Sequence, residues 1–259
     1  MTEGSDVAPS VVRPRRIEWR AATVTEVIRE TPHAKTLVMD VPGWPGHTAG
    51  QHVDVRLTAD DGYQAQRSYS IASAPSRTSL AITIERLDDG EVSPYLTDAL
   101  GVGDRVELRG PIGGYFVWEP SMGGPLFLVA GGSGIVPLMA ILRTRATSPA
   151  TTRASTPATL LYSSRSWEDI IYRDEVMALV GDPGVKVAQT LTRSQPPEWM
   201  GFTRRIDADM LAEVAPAPSL RPRIYICGPT ALVETAAQML VELGHEPARV
   251  RTERFGPTG

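Results

Sequence analysis

Cysteine is nearly absent from this 259-residue chain, where Cys227 stands alone. One thiol excludes an intrachain disulfide, a cysteine-rich zinc site and an iron–sulfur cluster, all of which need more. Histidine is scarce as well, and His33, His47, His52 and His245 are scattered without metal-ligand spacing. Lys35 and Lys186 are the only lysines among 26 basic residues, and the formal net charge is −4. A net acidic chain argues against a nucleic-acid partner, which requires a basic face. Long apolar runs are missing too. Nothing approaches the roughly 18–20 residues needed to cross a bilayer. The opening "MTEGSDVAPSVVRPRR" lacks the apolar segment of a secretion signal. Residues 1–15 therefore read as a disordered arm, and the protein as cytoplasmic, with no membrane partner.

What is present falls into two grammars. From Ile17 to about Trp118, "WRAATVTEVIRE", "AKTLVMDV", "HVDVRLTA", "RSYSIAS", "LAITIER" and "RVELRG" alternate with period two or carry β-branched residues. Gly/Pro clusters separate them. Six such strands predict an antiparallel β-barrel. A short helix is expected at "SPYLTDAL", with Ser93 as N-cap and Pro94 as its first residue.

After "EPSMGGP" the pattern changes. "LFLVA" is a continuous apolar strand, as in a parallel sheet covered on both faces. Helical and strand-like segments then alternate: "ATLLYSS", helix "WEDIIYRDEVMALV", "VKVAQTL", helix "DADMLAEV", "RIYICG", helix "TALVETAAQMLVEL" and "ARVRTERF". The low-complexity segment Thr144–Ala158 reads as a loop. The expectation is a two-domain protein: a six-stranded antiparallel β-barrel over residues 16–120, then a doubly wound α/β domain over 125–259.

The loop "VAGGSGIVP" follows a buried strand and opens a helix. Gly131, Gly132 and Gly134 permit a tight turn and close approach of backbone to a ligand. The helix start at Ile135 offers unpaired amides to a pyrophosphate. Pro137 replaces the third glycine of G-x-G-x-x-G, so the loop is not the usual dehydrogenase fingerprint. "YICGP" repeats the arrangement, placing Cys227, Gly228 and Pro229 at the carboxyl end of a parallel strand, where ligand crevices lie. A buried, inert cysteine is the competing reading.

Four motifs thus stand in order, "RSYS", "GEVSPYL", "GGSGIVP" and "YICGP", with "TERFG" near the end. The set resembles the ferredoxin–NADP reductase superfamily, in the branch of FAD-binding oxidoreductases and oxygenase reductases, over about residues 15 to 256. The resemblance implies that Arg67 binds flavin phosphate, that Tyr69 lies against the isoalloxazine and that Ser70 sits near the flavin N5, with Ser68 between them also counted among the flavin-binding residues. Arg67 and Tyr69, two apart, share one face of a strand, and a guanidinium fork suits phosphate oxygens. Ile84 and Arg86 in "ITIER", and Gly90, Val92 and Ser93 in "GEVS", match the next flavin strand and its phosphate loop. Gly131, Gly132, Gly134 and Ile135 match the loop beneath the nicotinamide nucleotide. Cys227, Gly228 and Pro229 match the loop beside the nicotinamide. Glu253 and Phe255 match a carboxylate and an aromatic near the flavin. Ser70, Cys227 and Glu253 are the implied catalytic group.

NADPH is favoured over NADH, because Ser164 with Arg165 and Thr192 with Arg193 could receive its extra phosphate. FAD is expected, with FMN the alternative. The implied activity is hydride transfer from NAD(P)H to bound flavin, then electron delivery to an external acceptor: a ferredoxin, a Rieske or haem protein, or a small molecule. A non-catalytic flavin- and nucleotide-binding redox sensor or electron-carrier subunit is the competing function.

Overall fold

The computed structural model describes residues 17–59, 61–75 and 79–255. The arm expected over residues 1–15 lies outside them. The first sheet contains β1 (Trp19–Thr31), β2 (Ala34–Asp40), β3 (His52–Thr58), β4 (Gln64–Ser70), β5 (Leu80–Glu85) and β6 (Arg105–Ile112). All its pairings are antiparallel, in the order β4-β3-β6-β1-β2-β5. A single bridge, Ile71 to Ile82, joins the β4 end to the β5 end and curls the sheet into a barrel. The interior is filled by alternate residues, among them Leu37, Met39, Val53, Val55, Ile82, Ile84 and Leu108, all fully buried. Each contributes roughly 1.5–3 kcal/mol by leaving water.

The second sheet is parallel, in the order β11-β10-β7-β8-β9. Its strands are β7 (Leu126–Gly131), β8 (Ala158–Ser164), β9 (Val185–Leu191), β10 (Arg223–Pro229) and β11 (Val250–Phe255). The helices are α1 (Ile135–Ala146), α2 (Ala150–Ser155), α3 (Arg173–Leu179), α4 (Ala208–Val214) and α5 (Thr230–Glu242). The unbroken apolar run of β7 now has its cause. Leu126, Leu128 and Ala130 face α1, while Phe127 and Val129 pack with α4 and α5. α1 is buried almost all round, because its cluster also contains barrel residues Ala49, Ala72, Phe116 and Trp118. It lies between the parallel sheet and the barrel.

Three local expectations need correction. Ser93 does not cap the π-type helix Tyr95–Ala99: the Leu96 amide bonds the Val92 carbonyl, and the Ser93 hydroxyl accepts the Leu87 amide at 3.1 Å. Thr144–Ala158 is not simply a loop, since it contains the end of α1 and all of α2. The helix expected over "WEDIIYRDEVMALV" starts only at Arg173. Before it, Tyr172 takes a left-handed conformation (φ 57°) and the Ile171 amide bonds the Tyr162 hydroxyl, so the turn ahead of α3 cannot wind.

Candidate functional site

A cleft of about 780 Å³ lies between the two sheets. The barrel contributes the run Arg67, Ser68, Tyr69 and Ser70 at the end of β4, together with Gly90, Val92 and Ser93. The α/β unit contributes Glu253 and Phe255 from β11, with Ser133 and Val136 at the first helix start. The antiparallel register puts Arg67 opposite Val55 and Tyr69 opposite Val53, so both project from the strand face that bears these core valines. Arg67 remains half exposed, 3.3 Å from Glu91. Tyr69 is largely covered, and burial pushes its phenol up to about 12, so the ring is an uncharged surface. Ser68 belongs to the other face, where its hydroxyl donates to Asp54 at 2.6 Å.

The loop after β5 folds onto Ser93. The Gly90 amide donates to the Leu87 carbonyl at 3.0 Å, and a Cβ on Gly90 would lie 2.9 Å from the Ser93 hydroxyl. Ser93 accepts from Leu87 and keeps its own proton to donate. Ile84 is buried inside the barrel, and Arg86 is tied to Asp98 at 2.9 Å; neither lines the cleft.

Across the cleft, β7 ends at Gly131, Gly132–Gly134 form a 3-10 turn, and α1 starts at Ile135. Gly132 has a left-handed backbone (φ 53°). Gly134 passes so close to β10 that a Cβ would sit 2.0 Å from the Cys227 carbonyl oxygen. This contact seats the glycine turn against Cys227, Gly228 and Pro229, at the switch point between neighbouring β7 and β10. Cys227 is fully buried, and burial, with Glu253 nearby, raises its thiol well above the usual range. A fully covered thiol held in its neutral form is a poor nucleophile.

Glu253 stands beside Cys227 in the β10–β11 register. Burial raises its carboxyl to about 7. Its Oε2 is buried without a partner, and Oε1 lies 3.9 Å from His52 Nδ1. Burial lowers the His52 pKa, so both groups lean towards their neutral forms and the pair is not a salt bridge. His52 was not among the expected residues, yet the β3–β4 register puts it directly opposite Ser70. Thr83 and Glu85 also line the cleft.

A separate group forms at the carboxyl ends of β8 and β9. The Thr192 amide donates to the Ser164 carbonyl at 3.0 Å, and the Arg193 amide to the Arg165 carbonyl at 2.8 Å. This brings both exposed arginines onto adjacent loops, with the Ser164 hydroxyl buried and unpartnered beneath.

The comparisons with known proteins follow this division. Residues 22–117 match the oxidoreductase FAD-binding domain and residues 128–238 the oxidoreductase NAD-binding domain. The chain is 30% identical over 209 residues to NADH-cytochrome b5 reductase 1 of Eremothecium gossypii, covering 79% of this chain and 71% of that one. This chain belongs to the ferredoxin–NADP reductase superfamily. It is an NAD(P)H-dependent flavoprotein reductase. A second relative of this reductase is the glycine betaine monooxygenase reductase subunit of Pseudomonas aeruginosa, 33% identical over 238 residues, which cover 90% of this chain and 63% of that one. Among solved structures, the flavohem-like FAD/NAD-binding domain of nitric oxide dioxygenase from Vibrio cholerae superposes with a TM-score of 0.80 at 26% identity, covering 92% of the reductase and 99% of that chain. No helix among the described residues is long and apolar enough to cross a membrane.

The cleft suits a flavin by its own chemistry. Its lining includes an arginine, a hydroxyl with a proton to donate, an uncharged phenol ring and a buried carboxyl oxygen without a partner.

Proposed function

We propose that residues 16–120 hold FAD and residues 125–259 bind reduced nicotinamide nucleotide, with NADPH preferred, and that electrons leave to a separate acceptor. The observation that carries this is one cleft receiving Arg67, Tyr69 and Ser70 from the barrel and Glu253 and Phe255 from the parallel sheet. Arg67 and Ser93 hold flavin phosphate by charge-assisted and hydroxyl hydrogen bonds. Tyr69 presents its ring to the flavin plane. The turn Gly131–Gly134 and the amides at Ile135 take the nucleotide's pyrophosphate. Cys227, Gly228 and Pro229 bound the nicotinamide.

When bound, the flavin supplies hydride acceptance and stepwise electron release. The chain's own task is to align and to exclude water. Ser70 offers a hydroxyl at the hydride acceptor, Cys227 a dry neutral wall, and Glu253 a carboxyl able to hold or yield a proton near neutral pH. Support for NADPH comes from Arg165 and Arg193 on adjacent loops above Ser164 and Thr192. The acceptor fits the chemistry of a ferredoxin, a Rieske or haem protein, or a small molecule; relatives are named for cytochrome b5 and for oxygenases. A nicotinamide-dependent reductase works where that nucleotide is replenished, so the cytoplasm is its proposed location.

Two measurements test the reading. Acid release and chromatography of the bound flavin must yield FAD. Ser70→Ala must slow flavin reduction at saturating nucleotide by tenfold or more while nucleotide affinity changes little. A colourless protein that takes up no flavin, or a Ser70→Ala variant reduced at wild-type speed, overturns it.

A further inference from the structure

Side-chain hydrogen bonds tie the two units together at two places. At one, the Val117 carbonyl accepts from the Tyr225 hydroxyl and from Arg251, each at 2.8 Å. At the other, which reaches the cleft through Thr83, the tie is a buried line of hydroxyls. Tyr172, from the turn before α3, bonds Thr83 of β5. Thr83 bonds its cross-strand partner Thr36 at 2.7 Å, and Thr36 donates to Glu30 Oε1 at 2.6 Å. Tyr172, Thr83 and Thr36 are all buried.

The polarity of this line follows from counting protons. Thr36 donates to Glu30 Oε1 and so spends its single proton there. Thr83 must then donate to Thr36, and Tyr172 to Thr83. Every hydroxyl is used in one direction, and the Tyr172 ring is held at a defined depth against the barrel. Arg143 braces the same turn: its guanidinium lies 4.4 Å over the Tyr172 ring, bonds Glu175 at 2.9 Å, and donates to the Ala72 carbonyl at 2.6 Å. Tyr172 keeps a left-handed backbone that an L-residue adopts reluctantly, which the surrounding contacts must enforce.

Location gives the tie its meaning. Thr83 lines the cleft with Ser70 and Glu253. Ala72 lies two residues beyond Ser70, and Ile71 between them bridges to Ile82, the neighbour of Thr83. The tie therefore grips β5 and the segment just beyond β4, both beside the cleft wall. We propose that Tyr172 and Glu30 are positioning residues for hydride transfer: the line Tyr172–Thr83–Thr36–Glu30 sets the gap between the nucleotide-binding unit and the wall that carries Ser70. This rests on the flavin reading of the cleft.

The test uses flavin-loaded protein. Tyr172→Phe removes the donor that starts the line, and Thr36→Val cuts its middle outside the cleft. Each is expected to lower the single-turnover rate of flavin reduction by NADPH, or by NADH, by at least tenfold at saturating nucleotide, with nucleotide Kd within threefold of wild type. The long-wavelength charge-transfer absorbance of the nucleotide–flavin complex, which reports ring overlap, falls in parallel. Glu30→Ala behaves likewise, whereas Glu30→Gln keeps an acceptor for Thr36 and restores at least half the rate. Wild-type rate and absorbance in Tyr172→Phe and Thr36→Val overturn the proposal. So does a loss confined to thermal stability, or one that Glu30→Gln does not rescue. Ser70→Ala, run alongside, separates the readings: if it too is reduced at wild-type speed, the flavin assignment has failed; if it is slow while Tyr172→Phe is fast, only the positioning role has.

Discussion

Replacing Glu253 with glutamine should make the reductase more stable, and more so as the solution becomes alkaline. The folded carboxyl titrates at about 7 against an ordinary value of 4.5, because burial disfavours its charge. Between those pH values the folded protein holds a proton that the unfolded chain has lost, so stability falls as pH rises through this window. At about 1.4 kcal/mol per pH unit, the native carboxylate costs about 3 kcal/mol by pH 8. A glutamine side chain would keep the shape and carry no charge, so it avoids that cost. Urea unfolding of flavin-loaded wild type and Glu253→Gln, followed by far-UV circular dichroism, should give closely matched midpoints at pH 5. At pH 8 the variant should lead by about 2–3 kcal/mol, roughly 1 M in urea or somewhat less. An equal difference at both pH values would show that the carboxyl titrates normally and that its burial does not govern its charge.

Gly134→Ala should lower Tm by ~6–12 °C and weaken nucleotide binding, since the new methyl meets the Cys227 carbonyl at 2.0 Å; differential scanning calorimetry reads the first effect and fluorescence titration the second. Arg145 is buried and donates to the carbonyls of Thr156 at 2.6 Å and Gly184 at 3.0 Å. Arg145→Met should therefore cost about 3 kcal/mol in chemical denaturation, and Arg145→Lys should recover little because it lacks the planar fork. The double change Arg165→Ala with Arg193→Ala should reduce the NADPH-to-NADH ratio of kcat/KM at least tenfold, as steady-state kinetics with both nucleotides would show.

Residues whose neighbours lie close in sequence were the legible ones. The β3–β4 hairpin turns at Asp61–Gly62, and its pairs, Thr58 with Gln64 through His52 with Ser70, are symmetric about residue 61. That symmetry alone places His52 opposite Ser70, whereas metal-ligand spacing among the histidines carries no such information. The apolar run of β7 correctly signalled a sheet covered on both faces. Tyr172 was illegible as a contact, because its partner Thr83 is 89 residues away and nothing local signals the pairing. The premature helix before α3 failed for a related reason: helical periodicity in "WEDIIY" was overridden by burial of Ile170 and Ile171 in a turn that delivers Tyr172 to the barrel. Ser93 misled differently, since a residue suited to capping spent its hydroxyl on the Leu87 amide.

The burial of α1 between sheet and barrel bears on protein engineering. An excised C-terminal half would bare the flank of α1 that meets Ala49, Phe116 and Trp118, and should be sticky and poorly soluble. Chimaeras that swap nucleotide specificity between reductases are therefore better joined within the loops after β8 and β9 than at the linker, where exchange would require repacking a whole hydrophobic seam.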